Sequence, residues 1–351
     1  AGYRQGGRSG RLIEFIDLAP TVLSLAGIEP LKHFHGEAFL GPFARPPKRY
    51  LHGFRGRMDE RLDSVRSVRD ERYVYIRNYM PHKIYGQYLA YMWETPTTQA
   101  WERLYKEGRL NAAQRKFWEP KPPEELYDLE NDPDEVHNLA GSAAHRKILD
   151  RMRAEHRRYE LAIRDAGMLA ESEMHARSRG ESPYDMARDP KRFDGTRLLD
   201  AAQASSGMDP AATPRLAKML ADSDSGVRYW GAMGLLMRGE KTVAAHAEAL
   251  TKALADSSPA VRIAAGEALG RFGGEEGLKA AMDALVPLCH PVRSGAYAAV
   301  EALNAVEAIG ERARPWIAQI LAMPDEDPNA PQRARSEYIR RMREMLQKRL
   351  A

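Results

Sequence analysis

Three runs decide the fold of the C-terminal half: SDSGVRYWGAMGLL (223–236), SSPAVRIAAGEALG (257–270) and CHPVRSGAYAAVEAL (289–303). Each carries a Val-Arg pair, at 227–228, 261–262 and 292–293, so the pairs recur after 34 and then 31 residues. Each pair opens an Ala-rich helix, and each is preceded by another apolar helix, at 216–220, 247–254 and 278–288. Paired helices at a period in the thirties signal a solenoid, in which every unit buries its apolar face against its neighbours. Ala264, Ala265 and Ala268 are small enough to let helices approach closely; their role is packing. The stretch from Arg312 to Leu350 reads as a last, degenerate unit, closed by the basic helix QRARSEYIRRMREMLQKRL (332–350) as a polar cap.

The N-terminal half carries different patterns. In LIEFIDLAPTVLSLAG (12–27), Asp17 is placed to cap a helix that has Pro20 in its first turn and Gly27 just past its end. The apolar flanks of so short a helix predict burial against something larger. RYLHGF (49–54), SVRSVR (64–69) and RYVYIRN (72–78) read as strands, the last two joined by a tight turn at Asp70 and Glu71. An aromatic insertion at 81–123 contains short helices at 97–107 and 111–117. ELYDL (125–129) is a further strand, ended by the turn-rich NDPDE (131–135). A long helix at 142–165 places Ile148, Met152, Tyr159 and Ile163 on one face. Together these predict an α+β layer of antiparallel sheet and one helix, then an extended polar connector at 166–195, then the all-α solenoid.

Composition narrows the class. Hydrophobic residues at 43% and charged residues at 29% are ordinary for globular protein. A net charge of +4 is compatible with a polyanionic ligand. No long Lys/Arg block, zinc-knuckle spacing or RNA-binding aromatic motif points to nucleic acid as a partner, and no run reaches the roughly 20 apolar residues of a transmembrane helix. The single cysteine, Cys289, rules out an internal disulfide framework. The absence of an initiator Met and the unpaired apolar opening helix are read as the start of a chain inside a larger protein.

Three segments resemble the C-terminal third of sulfatases of the alkaline-phosphatase superfamily: DLAPTVLSLAGIEP (17–30), RSVRDERYVYIRNY (66–79) and EELYDLENDPDEVHNLA (124–140). The third is the most specific, and the aromatic insertion makes the likeness closest to the heparan N-sulfatase (sulfamidase) branch. The solenoid runs are similar to HEAT repeats, most clearly at 257–270; in the third run the repeat's Asp position is Pro287. The resemblance implies that residues 1–45 end a large α/β domain, and that 46–165 form most of a smaller antiparallel-sheet subdomain. Residues 196–351 are then HEAT-like repeats. It also implies hydrolysis of sulfate esters or sulfamates, on sulfated polysaccharides, by a formylglycine and a calcium ion. Their motifs have no counterpart here, so catalytic and metal residues are expected upstream, the isolated chain is expected to be inactive, and the parent is expected to be a periplasmic or secreted bacterial enzyme. Two alternatives stay open: a non-catalytic module whose repeats bind a protein partner, and a phosphodiesterase or phosphonate hydrolase of the same superfamily.

RGRMDE (55–60) is the leading candidate for substrate contact. Arg55 and Arg57 offer planar forks to sulfate oxygens, and Asp59 and Glu60 offer acceptors to sugar hydroxyls. A solvated charged loop is the competing reading. His52 joins the group as a substrate-binding candidate or as a structural histidine. Cys289-His290-Pro291-Val292-Arg293 matches C-x-P-x-R literally, but it aligns with a repeat turn and follows the sulfatase-like segments; it reads as a helix corner with a partly buried thiol. His33 and His35 have no evident third metal ligand. Tyr85, Tyr88, Tyr91 and Trp93 read as core, with a sugar-stacking wall or subunit contact as the alternative. His137 and Asn138 are read as capping the long helix.

Overall fold

The computed structural model describes residues 6–330 and 337–350; residues 1–5 and the first residues of the basic C-terminal run lie outside these. The described chain is an α+β part with a four-stranded antiparallel sheet followed by an all-α region of helical repeats. By packing it forms two compact units. The first holds residues up to Phe54, Arg66–Arg77 and Glu124–Arg157; the second holds Arg55–Val65, Asn78–Pro123 and everything from Arg158 onward.

The first unit is built on the strands β1 (Leu51–Arg55), β2 (Val65–Arg69), β3 (Tyr73–Asn78) and β4 (Glu124–Asp128), which lie side by side in chain order. Asp70 makes the β2–β3 turn: its Oδ1 accepts from the backbone N–H of Arg72 (2.9 Å) and Tyr73 (2.6 Å). This is the self-bonding that makes Asp a turn residue. β3 pairs antiparallel with β4, Tyr75 opposite Leu126. Val68, Tyr75 and Leu126 pack with Leu149 and Met152 of the helix Arg146–Ile163, one face of sheet against one stripe of helix. Asn138 does not cap that helix. Its Oδ1 accepts from Leu126 N–H (3.0 Å) and its Nδ2 donates to the Glu124 carbonyl (2.9 Å), which pins the turn to β4.

The opening helix, Leu18–Leu25, ends at Gly27 with φ +75°. Asp17 does not cap it with its side chain. The buried carboxylate instead accepts from the N–H of Glu14 (2.9 Å) and Glu37 (2.8 Å) and pairs with Lys48 (2.8 Å). Burial opposes its ionisation, yet these hydrogen bonds leave the Asp17 carboxyl below its ordinary value. Phe15, Ile16, Leu18, Val22 and Leu25 are exposed, Phe15 by 88% and Val22 by 64%.

In the second unit, paired helices repeat as the spacing predicts: Thr213–Met219 with Ser225–Met237, Ala247–Ala253 with Pro259–Phe272, and Glu275–Leu288 with Ala296–Ile309. Arg314–Leu321 and Glu337–Leu350 follow. The Val-Arg motif has a visible use. Arg228 grips Asp256 of the next pair bidentately, at 2.6 and 2.8 Å; Arg197, outside the motif, reaches both Asp222 oxygens through one nitrogen, each at 2.6 Å. The third step is broken. Where an Asp would meet Arg262 the chain has Pro287, and the buried Arg262 Nε has no hydrogen-bond partner among the described residues.

Residues 166–195 are not extended. They form the helices Glu171–Ser178 and Pro183–Met186 and bury Met168, Leu169, Met186 and Phe193 in the repeat core. Glu173 is the physical reason. It accepts from Arg177 (2.8 Å), Ser258 (2.6 Å) and Ser225, while Arg177 also pairs with Asp224 (2.7 Å), so a polar-looking segment is locked onto two repeat turns.

Candidate functional site: the 55–65 loop

Arg55, the last residue of β1, and the loop residues Arg57, Asp59 and Glu60 that follow it belong to the second unit, whereas His52 lies on β1 in the first. The loop folds back on itself. Met58 and Arg61 exchange two backbone hydrogen bonds, both 2.8 Å, across a tight turn in which Asp59 takes φ +49°. Asp tolerates this left-handed conformation better than most residues.

Most of the loop's charge is committed within its own unit. Arg57 forks onto Glu171 of the helix Glu171–Ser178 (3.1 Å for the Nη2 contact), donates to the Asp59 carbonyl (2.5 Å), and lies over the Tyr338 ring. Glu60, 1% exposed, accepts from Ala90 N–H at 3.0 Å and pairs with Arg341 at 3.4 Å. Its carbonyl accepts from Asn304 Nδ2 at 2.8 Å. Arg61 donates to the Tyr88 carbonyl (2.6 Å) and pairs with Glu307 (3.3 Å). Asp63 and Lys121, neither with exposed side-chain surface, are joined at 2.5 and 2.6 Å. Arg55 is 3.7 Å from Asp63 and keeps 30% of its side chain exposed. Burial, then the charge of Asp59, raises the Tyr91 phenol above its ordinary value.

The structure thus gives Arg57 and Glu60 anchoring contacts and leaves Arg55 and Asp59 partly accessible. His52 Nε2 donates to the Glu155 carboxylate at 3.0 Å within its own unit. Residues missed by sequence reasoning are Arg61, Asp63, Lys121, Asn304 and Arg341. Asn304 and Arg341 lie more than 240 positions from the loop residues they hold, and no local pattern marks such pairs.

Cys289 is 1% exposed, deeper than a partly buried corner thiol, and burial pushes its pKa up to about 12. A thiol held neutral and away from solvent is no nucleophile. Among the described residues no three His, Cys, Asp or Glu converge as a metal would require; His33 packs edge-on against Phe34. No helix of the described residues is long and apolar enough to cross a membrane.

The repeat region matches the family model described as HEAT repeats, over residues 213–304 and 247–335. An ulvan-active sulfatase of Formosa agariphila is 39% identical over 183 residues, 52% of this chain and 31% of that protein. A second ulvan-active sulfatase of the same organism is 30% identical over 156 residues, 42% of this chain and 29% of that protein. The matched stretches span about a third of the relatives' length. The chain therefore combines a sulfatase-related part with HEAT repeats.

Proposed function

We propose that this chain is the C-terminal part of a sulfatase that hydrolyses sulfate esters, or in the finer alternative sulfamates, on a sulfated polysaccharide. The similarity to two ulvan-active sulfatases carries the reading and makes ulvan the first substrate to try. The formylglycine and calcium implied by the resemblance would be supplied by other sequence. Bound calcium would stabilise charge at sulfate oxygens, but the described residues do not fit a calcium site. The exposed apolar face of residues 15–25 supports packing against further polypeptide, because contiguous exposed apolar surface of this kind marks an interface. Arg55 and Asp59 are then the substrate-facing pair of the loop, with Arg57 and Glu60 holding it. Export to the periplasm or medium belongs to the same reading.

The test is release of inorganic sulfate from ulvan by the complete gene product and by the 351-residue chain alone. Release by the complete product only is expected. Release by the chain alone refutes the placement of the chemistry elsewhere. No release by either favours a second reading, supported by the HEAT match: the chain as a module whose repeats bind a partner protein.

A further inference from the structure

Within the second unit, between the aromatic insertion and the repeat helices, lies a cavity of about 370 Å³. This is within the size range of small-ligand sites. One wall is aromatic: Tyr88 and Trp93 rings lie 4.8 Å apart, and Trp118 meets Trp93 edge-on at 5.8 Å. The charged groups around it are unbalanced. Arg61, Lys83, Lys106, Arg271 and Arg349 face only Glu102, Glu267 and Glu307. Lys106 pairs with Glu102 (2.8 Å) and Arg271 with Glu267 (3.2 Å), while Glu307 is shared by Arg61 (3.3 Å) and Arg349 (2.9 Å). Lys83 makes no ion pair among the described residues.

Two further groups have no protein partner. Both ring nitrogens of His82, and Nε1 of the 6%-exposed Trp118, are buried without a hydrogen bond. His82 and Trp118 both line the cavity, although these three nitrogens are shielded from solvent. Burial, then the charges of Lys83, Arg271 and Lys121, holds His82 well below the usual histidine range. It is therefore a neutral ring at pH 7, offering one donor and one acceptor. An aromatic wall and an excess of positive charge match a ring with an apolar face and an anionic substituent.

We propose that this cavity binds an acidic sugar residue of a polysaccharide. The sugar's apolar face lies on Tyr88 and Trp93, and its sulfate or carboxylate meets Lys83 and Arg349. The proposal rests on the polysaccharide reading above and assigns that ligand a place on the repeats.

The full 351-residue chain is titrated with ulvan oligosaccharides, and with the same oligosaccharides after chemical desulfation, by calorimetry and tryptophan fluorescence. Saturable binding with a change in tryptophan emission is expected, weaker for the desulfated sugar. Lys83→Glu should weaken binding about tenfold by reversing a charge that the fold does not use, and Lys83→Ala by less. Trp93→Phe should reduce the emission change. Absence of saturable binding at millimolar sugar, equal binding of the two sugars, or wild-type affinity in a folded Lys83→Glu each overturns the proposal. Sulfate release by the complete product tests the enzyme reading separately: release without binding at this cavity overturns only the cavity assignment.

Discussion

Removal of the Asp63 carboxylate tests whether the 55–65 loop is held by buried charge. Asp63 and Lys121 have no exposed side-chain surface, and the ammonium reaches both carboxylate oxygens. In Asp63→Ala the Lys121 ammonium is left over the Tyr85 ring with no counter-ion bonded to it. Breaking such a pair from one side costs about 3–5 kcal/mol. The alternative, folding with a neutral Lys121, costs at most about 5 kcal/mol at pH 7, from a free lysine pKa of about 10.4. The two routes agree. Asp63→Ala/Lys121→Met removes both charges, keeps the volume at position 121, and should return to within about 2 kcal/mol of wild type. The assay is urea unfolding followed by tryptophan emission, with Trp93 and Trp118 reporting on the insertion; a chain of two units need not unfold in one step, so their transition is fitted separately. Burial already lowers the Lys121 pKa. In the Asp63→Ala variant the unfolded chain therefore binds more protons than the fold, and stability should rise with pH toward the free-lysine value. A single variant within about 1 kcal/mol of wild type, or a double variant no better than the single, refutes the reasoning.

Under the proposed function, Arg55→Ala in the complete gene product should raise KM or lower kcat/KM, whereas Arg57→Ala and Glu60→Gln should act mainly by lowering the unfolding midpoint; unchanged kinetics in Arg55→Ala removes it from the substrate contact. Glu301 is buried, and burial lifts its pKa to about 7 although Ser172 donates to it twice. Its stabilising contribution is full below about 4.5 and is lost as pH rises through about 7, because the fold binds the extra proton in that window. Glu301→Gln should flatten this slope and exceed wild type at pH 8 by up to about 3 kcal/mol in denaturation; an unchanged slope refutes the assignment. For Arg228 and Asp256 a double-mutant cycle should give a coupling of about 1–3 kcal/mol, and a value near zero would show that the inter-repeat grip is ornamental. Native Cys289 should resist alkylation at pH 8 and react once the chain is unfolded.

The repeats were legible because each unit restates the same apolar period and the same Val-Arg corner. The sheet was legible through the alternation of Tyr73 to Ile76 and the self-bonding turn at Asp70. The helix Glu171–Ser178 was not, because its buried residues are Glu173 and Ser178 rather than apolar ones. Buried charge mimics a solvated linker when its partners, here Ser225, Ser258 and Asp224, lie far along the chain. The same blindness hid the anchoring of Arg57 and Glu60. Residue type identified RGRMDE as a loop able to grip anions; it could not show that Glu171 and Arg341 already occupy two of those hands.

The unanswered guanidinium of Arg262 has a mechanical meaning. Where Arg228 clasps Asp256, two neighbouring helix pairs are riveted by an ion pair; where Pro287 replaces the acid, the next pair is held by apolar packing and by Arg312, which donates to the Gly270 and Gly273 carbonyls. Pulled or heated, such a stack should part at its unriveted seam, between Phe272 and Ala296, and Pro287→Asp would supply the missing rivet.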